Sequence, residues 1–211
     1  MTLSPRVLEI LSSRICHDLI SPVGAVNNGI ELLEEFGLDA GADAVDLIAT
    51  SAKKASIHLR AFRWAYGASG ADSDVKPTDI KSLVAEYFAL TKADFVWQDS
   101  PVLQAVLPPK GMLKTVLNLF ILTGEGLGVG GTAHFAVTQE EPIEMTVSCE
   151  ADKFTFKEEI VEALEGKIPE DELTPRNVHG YITRMVAEYY GMKISVKKES
   201  ETKILFSVKE A

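Results

Sequence analysis

Cationic side chains are in short supply in this chain. It carries 21 lysines and arginines against 31 aspartates and glutamates, a formal net charge of −10. A protein that grips a nucleic-acid backbone needs the opposite, a concentrated basic face. Cysteine is scarcer still: Cys16 and Cys149 stand far apart and in no metal-ligand spacing, as expected of two reduced thiols in a cytoplasmic protein. No apolar run reaches the length of a membrane span, and no segment has the character of a signal peptide. The expectation is a soluble, cytoplasmic chain without a sensor or membrane anchor of its own. Internal repeats and low-complexity segments are missing too. What is present, 211 residues that are 46% hydrophobic and 25% charged, can fill a core and suits one large domain or two small ones.

Periodicity divides the chain. Residues 4–36 read as one long helix, opened by Ser4 as a cap with Pro5 in the first turn and stopped by Gly37. Its apolar positions, Leu8, Leu11, Ile15, Leu19, Val23, Val26, Ile30 and Leu33, form a heptad seam with one extra four-residue step, a stutter that falls across His17 and Asp18. Residues 43–67 read as a second helix with an uninterrupted seam through Val45, Ile48, Ala52, Ala55, Leu59, Phe62 and Tyr66. The short loop at 37–42 predicts an antiparallel hairpin. A helix of about 33 residues is roughly 50 Å long, and two such helices alone leave much apolar surface wet. Two copies would close it as a four-helix bundle, so a homodimer is expected. The stretch 69–76, small and polar without period, reads as a linker between a helical domain at 1–68 and a second domain at 77–211. There the patterns predict helices near 78–92, 110–123, 157–165 and 176–190, and strands near 94–98, 132–138, 143–149, 193–198 and 203–208. The fold class expected is α+β, the second domain being a two-layer α/β sandwich on a mainly antiparallel sheet.

Chemistry concentrates in His17-Asp18-Leu19-Ile20-Ser21-Pro22-Val23. A proline inside a helix costs about 3 kcal/mol or more, and an imidazole on a polar face adds little to packing. Each residue of a helix turns about 100°, so His17 points away from the seam, towards water. Its stripe holds Ser13, Ile20, Ser21, Gly24 and Asn28, mostly small or polar, which lets another protein's backbone approach the ring. Asp18, adjacent in sequence and so not directly beneath the ring, is expected to orient the imidazole or to accept its second N–H through a bent rotamer; holding one tautomer frees the other nitrogen to attack. Pro22 offers no N–H to the Asp18 carbonyl, so the turn below His17 is expected to kink. His58 beside the seam of the second helix, His134 in a strand, and His179 before a helix turn without a second ligand or base at a useful spacing all read as structural.

The same box resembles the phosphoacceptor box of sensor histidine kinases. With Gly24-Ala25-Val26-Asn27-Asn28-Gly29-Ile30-Glu31-Leu32-Leu33 after it, and Leu59-Arg60-Ala61-Phe62-Arg63-Trp64-Ala65-Tyr66-Gly67 closing the second helix, the chain is similar to the ChpT-like histidine phosphotransferases of alphaproteobacteria. The second domain resembles a kinase ATP-binding (Bergerat-like) domain without its pocket. The segment Val178 to Val196 is similar to the late helix and strand of that fold, but residues 166–177 lack the glycines that bring backbone N–H groups onto phosphate. Val116 to Thr123 looks like the helix whose asparagine binds Mg²⁺, with Leu122 at the metal position and Asn118 one turn earlier in a structural role. Gly124, Gly126, Gly128, Gly130 and Gly131 read as a flexible helix-to-strand loop.

The resemblance implies a histidine phosphotransferase of a two-component phosphorelay. In it, His17 and Asp18 carry the chemistry, and Ser13, Arg14, Ile20, Ser21, Gly24 and Asn28 receive the partner. It further implies receiver-domain partners: a hybrid histidine kinase upstream and cell-cycle response regulators downstream. No ATP or cofactor is expected, and Mg²⁺ would come from the receiver. A kinase with an unusual ATP pocket and a non-catalytic receiver-docking scaffold remain as alternatives.

Overall fold

Helix ends follow the capping residues. The structure is a computed structural model that describes residues 4–37, 41–67, 75–155 and 158–211. Helix α1 spans Pro5–Phe36. The Ser4 hydroxyl accepts the Val7 N–H at 3.3 Å, and Gly37, at φ +59°, closes the other end by donating its N–H to the Leu33 carbonyl. Helix α2 spans Gly41–Tyr66, starting two residues earlier than expected. The linker expected at 69–76 falls mostly outside the described residues.

The two helices pack through small residues. Pro22 and Gly29 of α1 are buried, as are Ala44, Ser51 and Ala55 of α2. A Cβ on Gly29 would sit 2.5 Å from the Ile48 side chain, which is why the helices need glycine there. This corrects the expected seam. Ala55 and Phe62 are buried within the chain, but Val23, Ile30, Val45 and Leu59 are exposed, Leu59 by 53%. Helical turn places these four on one flank of the hairpin, across from the flank that bears His17.

The rest is a two-layer α/β unit. Its helices are α3 (Pro77–Phe88), α4 (Pro101–Ala105), α5 (Met112–Gly126), α6 (Glu158–Leu164) and α7 (Val178–Tyr189). Its strands are β1 (Ala93–Trp97), β2 (Gly131–Glu140), β3 (Ile143–Glu150), β4 (Met192–Ser200) and β5 (Lys203–Glu210). The sheet order is β1-β2-β3-β5-β4, parallel only between β1 and β2. Helix α4 was not foreseen, being too short to show a period. Helix α3 stops at Phe88, earlier than expected, where Thr91 donates to the Phe88 carbonyl at 2.8 Å. Alternate residues of the strands, among them Phe135, Met145, Val147, Phe206 and Val208, form the core with α5, which is buried on every side.

The hairpin docks on this unit through a second, shared core. Val7 of α1 is buried with Leu173, Val178 and Ile182. Arg6 donates to the carbonyls of Glu170, Asp171 and Leu173. Asn118 of α5 donates to the Ala65 carbonyl at 3.1 Å, and Lys114 donates to the Gly67 carbonyl. Asn118 is thus one of the residues that join the two parts.

Candidate functional site

The histidine helix presents its box to solvent. The His17 side chain is 88% exposed, and its Nδ1 lies 3.2 Å from Asp18 Oδ1. A carboxylate only accepts, so Nδ1 carries the proton and Nε2 keeps its lone pair outward, as a nucleophile requires. Asp18 is 29% exposed. It reaches the ring although the two residues are adjacent in sequence. Helix α1 is continuous through Pro22.

Ser13, Ile20, Ser21 and Asn28 are exposed around His17, and a Cβ on Gly24 would meet nothing within 4 Å. The stripe is therefore open, apart from Arg14. That side chain is only 11% exposed and pairs with Glu125 of α5, itself 27% exposed. Arg14 also donates to the Pro175 carbonyl at 2.9 Å. Its cation is committed inside the chain and does not face outward with the rest of the stripe.

Glu125 is the site residue that sequence reasoning missed. It sits beside Gly124 and Gly126, which belong to α5 and not to a flexible loop. The turn is shorter, with Gly130 and Gly131 at positive φ; a Cβ on Gly131 would strike the Glu150 carbonyl at 2.5 Å. The signal was there in the form of one charge in an apolar, glycine-rich run. Glu125 Oε1 also lies 3.5 Å from His179 Nδ1, while His179 Nε2 lies 3.3 Å from Asn118 Oδ1. Burial alone would raise the Glu125 carboxyl; His179 and Arg14 outweigh it and hold the group below the usual carboxylate range. Burial also opposes the Arg14 cation, and Glu125 first, with Tyr66 and Asp18, more than offsets that, so Arg14 stands above its ordinary value. The Tyr66 hydroxyl is buried against the same pair, and burial pushes it up.

These parts form a groove of about 580 Å³ with His17 on its rim. Ser13, Arg14 and Asp18 make one wall; Glu125, Thr155, Ile160, Pro175 and Arg176 make the other. Leu122 is buried in the core, and Cys149 is buried with its thiol pushed up to about 12 by that burial. Among the described residues, no three His, Cys, Asp or Glu side chains cluster as metal ligands, and no helix is long and apolar enough to cross a membrane.

Residues 77–202 match the histidine phosphotransferase C-terminal domain family. The chain is 36% identical over 201 residues to the protein phosphotransferase ChpT of Brucella abortus (strain 2308), covering 94% of this chain and 92% of that protein. The chain belongs to the histidine phosphotransferase family. A solved structure of a bacterial phosphotransferase, 34% identical, superposes with a TM-score of 0.81 over 99% of this chain and 98% of that one. Hairpin and α/β unit together are shared with that structure.

Proposed function

We propose that His17 is the phosphoacceptor through which this histidine phosphotransferase passes a phosphoryl group from one receiver-domain aspartate to another. The observation that carries this is an imidazole open to solvent, with Nδ1 tied to a carboxylate and Nε2 free. Nε2 attacks phosphorus, the bond to the aspartyl oxygen breaks, and the carboxylate leaves with that electron pair. The return step reverses this on the second receiver. Such transfers need in-line positioning and charge neutralisation more than covalent help. The Mg²⁺ that neutralises charge is assigned to the receiver, and no ATP is used. Incubation with a labelled, phosphorylated receiver should put acid-labile label on this chain, and incubation with Mg-ATP alone should not. Label from ATP would make it a kinase, and none from either source would leave a scaffold.

The partners proposed are receiver domains of a hybrid histidine kinase and of cell-cycle response regulators, in the cytoplasm. They would dock on Ser13, Ile20, Ser21, Gly24 and Asn28. Gly24→Arg fits the chain itself, since nothing lies within 4 Å of that Cβ. It should block receiver binding at unchanged melting temperature. Asp18→Asn keeps the shape and removes the charge, so it should bind receivers normally but transfer about tenfold more slowly. Binding and transfer assays run side by side separate the two roles, and normal binding by the arginine variant removes the docking assignment.

Dimerisation is proposed through the flank of Val23, Ile30, Val45 and Leu59. A half-exposed apolar strip on two adjoining helices is a four-helix bundle lacking its second half. Leu59→Asp would set an unpaired charge in that interface. Because Leu59 is half exposed in the single chain, sedimentation should find a folded monomer. A wild-type monomer at micromolar concentration would remove the dimer.

A further inference from the structure

The loop that enters α7 is stitched along the first turns of α1. Arg6 donates to the carbonyls of Glu170, Asp171 and Leu173, Leu173 is buried with Val7, and Arg14 donates to the Pro175 carbonyl at 2.9 Å. Arg176 follows Pro175 in the chain, so its backbone is held against α1 about one turn before His17. Within the loop the Thr174 N–H donates to Oδ1 of the buried Asn177 at 2.8 Å, and the Arg176 N–H donates to the Thr174 hydroxyl at 3.3 Å. The backbone is therefore fixed while the guanidinium is free. Arg176 is exposed, and among the described residues its side chain makes no hydrogen bond or ion pair.

Charge in the groove sets this side chain apart. Arg14 is paired with Glu125, and the Asp18 carboxylate lies against the His17 ring. Arg176 stands on the wall opposite Asp18, with His17 on the rim of the same groove and its own charge uncompensated. A phosphoryl group is close to a dianion at neutral pH, and on His17 Nε2 it would sit beside the Asp18 anion. While a receiver is docked, the Mg²⁺ assigned to it offsets that charge. Between receivers only the groups of this chain face it.

We propose that Arg176 is the phosphoryl-binding residue of the groove: its guanidinium reaches across to His17 and donates to two non-bridging oxygens of the phosphoryl group, both during transfer and while the group waits between receivers. The planar fork of arginine fits a pair of such oxygens, and a cation already in place where charge gathers is the main help a protein gives to phosphoryl transfer. Arg176 contributes hydrogen bonds alone. The bonds made and broken are still those of the transfer, phosphorus to Nε2 and phosphorus to the aspartyl oxygen. This rests on His17 being the phosphoacceptor.

The test compares Arg176→Met, which keeps the length and loses the charge, with Arg176→Lys, which keeps the charge and loses the fork. Both suit an exposed, unpaired position, so their melting temperatures should match wild type; a fall of several degrees in Arg176→Met would make the residue structural and overturn the role. Label transfer is followed across receiver concentration. Arg176→Met should slow the saturating rate about tenfold with half-saturation little changed, and Arg176→Lys should return to within about threefold of wild type. Separately, phosphoramidate places a phosphoryl group on His17 without any receiver, and its phosphorus NMR signal, identified by its loss in His17→Ala, is titrated against pH. A guanidinium beside the group favours its more charged form, so the titration midpoint should rise by about one pH unit in Arg176→Met and fall back in Arg176→Lys. A raised half-saturation at an unchanged saturating rate would make Arg176 a receiver contact and overturns the role, as does an unmoved midpoint or equal slowing in the two variants. A wild-type protein that takes no label from a receiver, while the midpoint moves as stated, overturns the phosphoacceptor reading alone.

Discussion

His17→Ala is expected to abolish phosphoryl acceptance while leaving folding almost untouched. The side chain is 88% exposed, and substitutions at such positions change stability by about 0.5 kcal/mol or less. No other histidine can stand in. His179 is fully buried and His58 has one ring nitrogen buried in the hairpin. His134 lies on the sheet, away from the groove and without a carboxylate partner among the described hydrogen bonds. Acid-labile label after incubation with a phosphorylated receiver should therefore fall to background, with the melting temperature within a degree or two of wild type. Label at the wild-type rate would move the acceptor elsewhere.

The exposed place of His17 and its carboxylate neighbour were legible because the box breaks local rules. A proline in mid-helix, an imidazole off the apolar seam and an adjacent carboxylate are each unfavourable or idle for folding, and their coincidence is what makes the box a candidate site. Both long helices and every strand were legible from period and cap residues. What could not be read was which neighbour covers a face. The heptad seam signals apolar positions, yet within one chain the helices meet through Gly29, Ala44 and Ser51 and leave Leu59 outside. Small residues carry no hydrophobic period, so close helix packing is silent in such a pattern. The family resemblance puts Arg14 on the partner surface. Its real partner, Glu125, is 111 residues away, and no local pattern reports a pairing across that distance.

That pairing carries the second large effect. Glu125→Ala should destabilise the protein by about 3 kcal/mol, because it strands a charge that is only 11% exposed. For a chain of this size that corresponds to a fall of roughly 10 °C in melting temperature. The pH dependence has a definite sign. Glu125 has a folded pKa below its ordinary 4.5, so the folded state binds its proton less readily than the unfolded chain does. Its stabilisation is complete above that ordinary value and is lost as pH falls towards the lowered one. The alanine variant should accordingly show a shallower acid limb in melting temperature against pH. Replacing both partners, as Arg14→Met with Glu125→Leu, removes the stranded charge and should recover most of the loss. The double variant also separates stability from geometry. Its fold should be sound, but the wall of the groove formed by Thr155, Pro175 and Arg176 would lose the tie to the helix of His17 that Arg14 makes. Receiver binding should then weaken although the melting temperature is restored. A Glu125→Ala protein that melts like wild type would mean that Arg14 is solvated in solution and that the hairpin and the α/β unit are not held together through this pair.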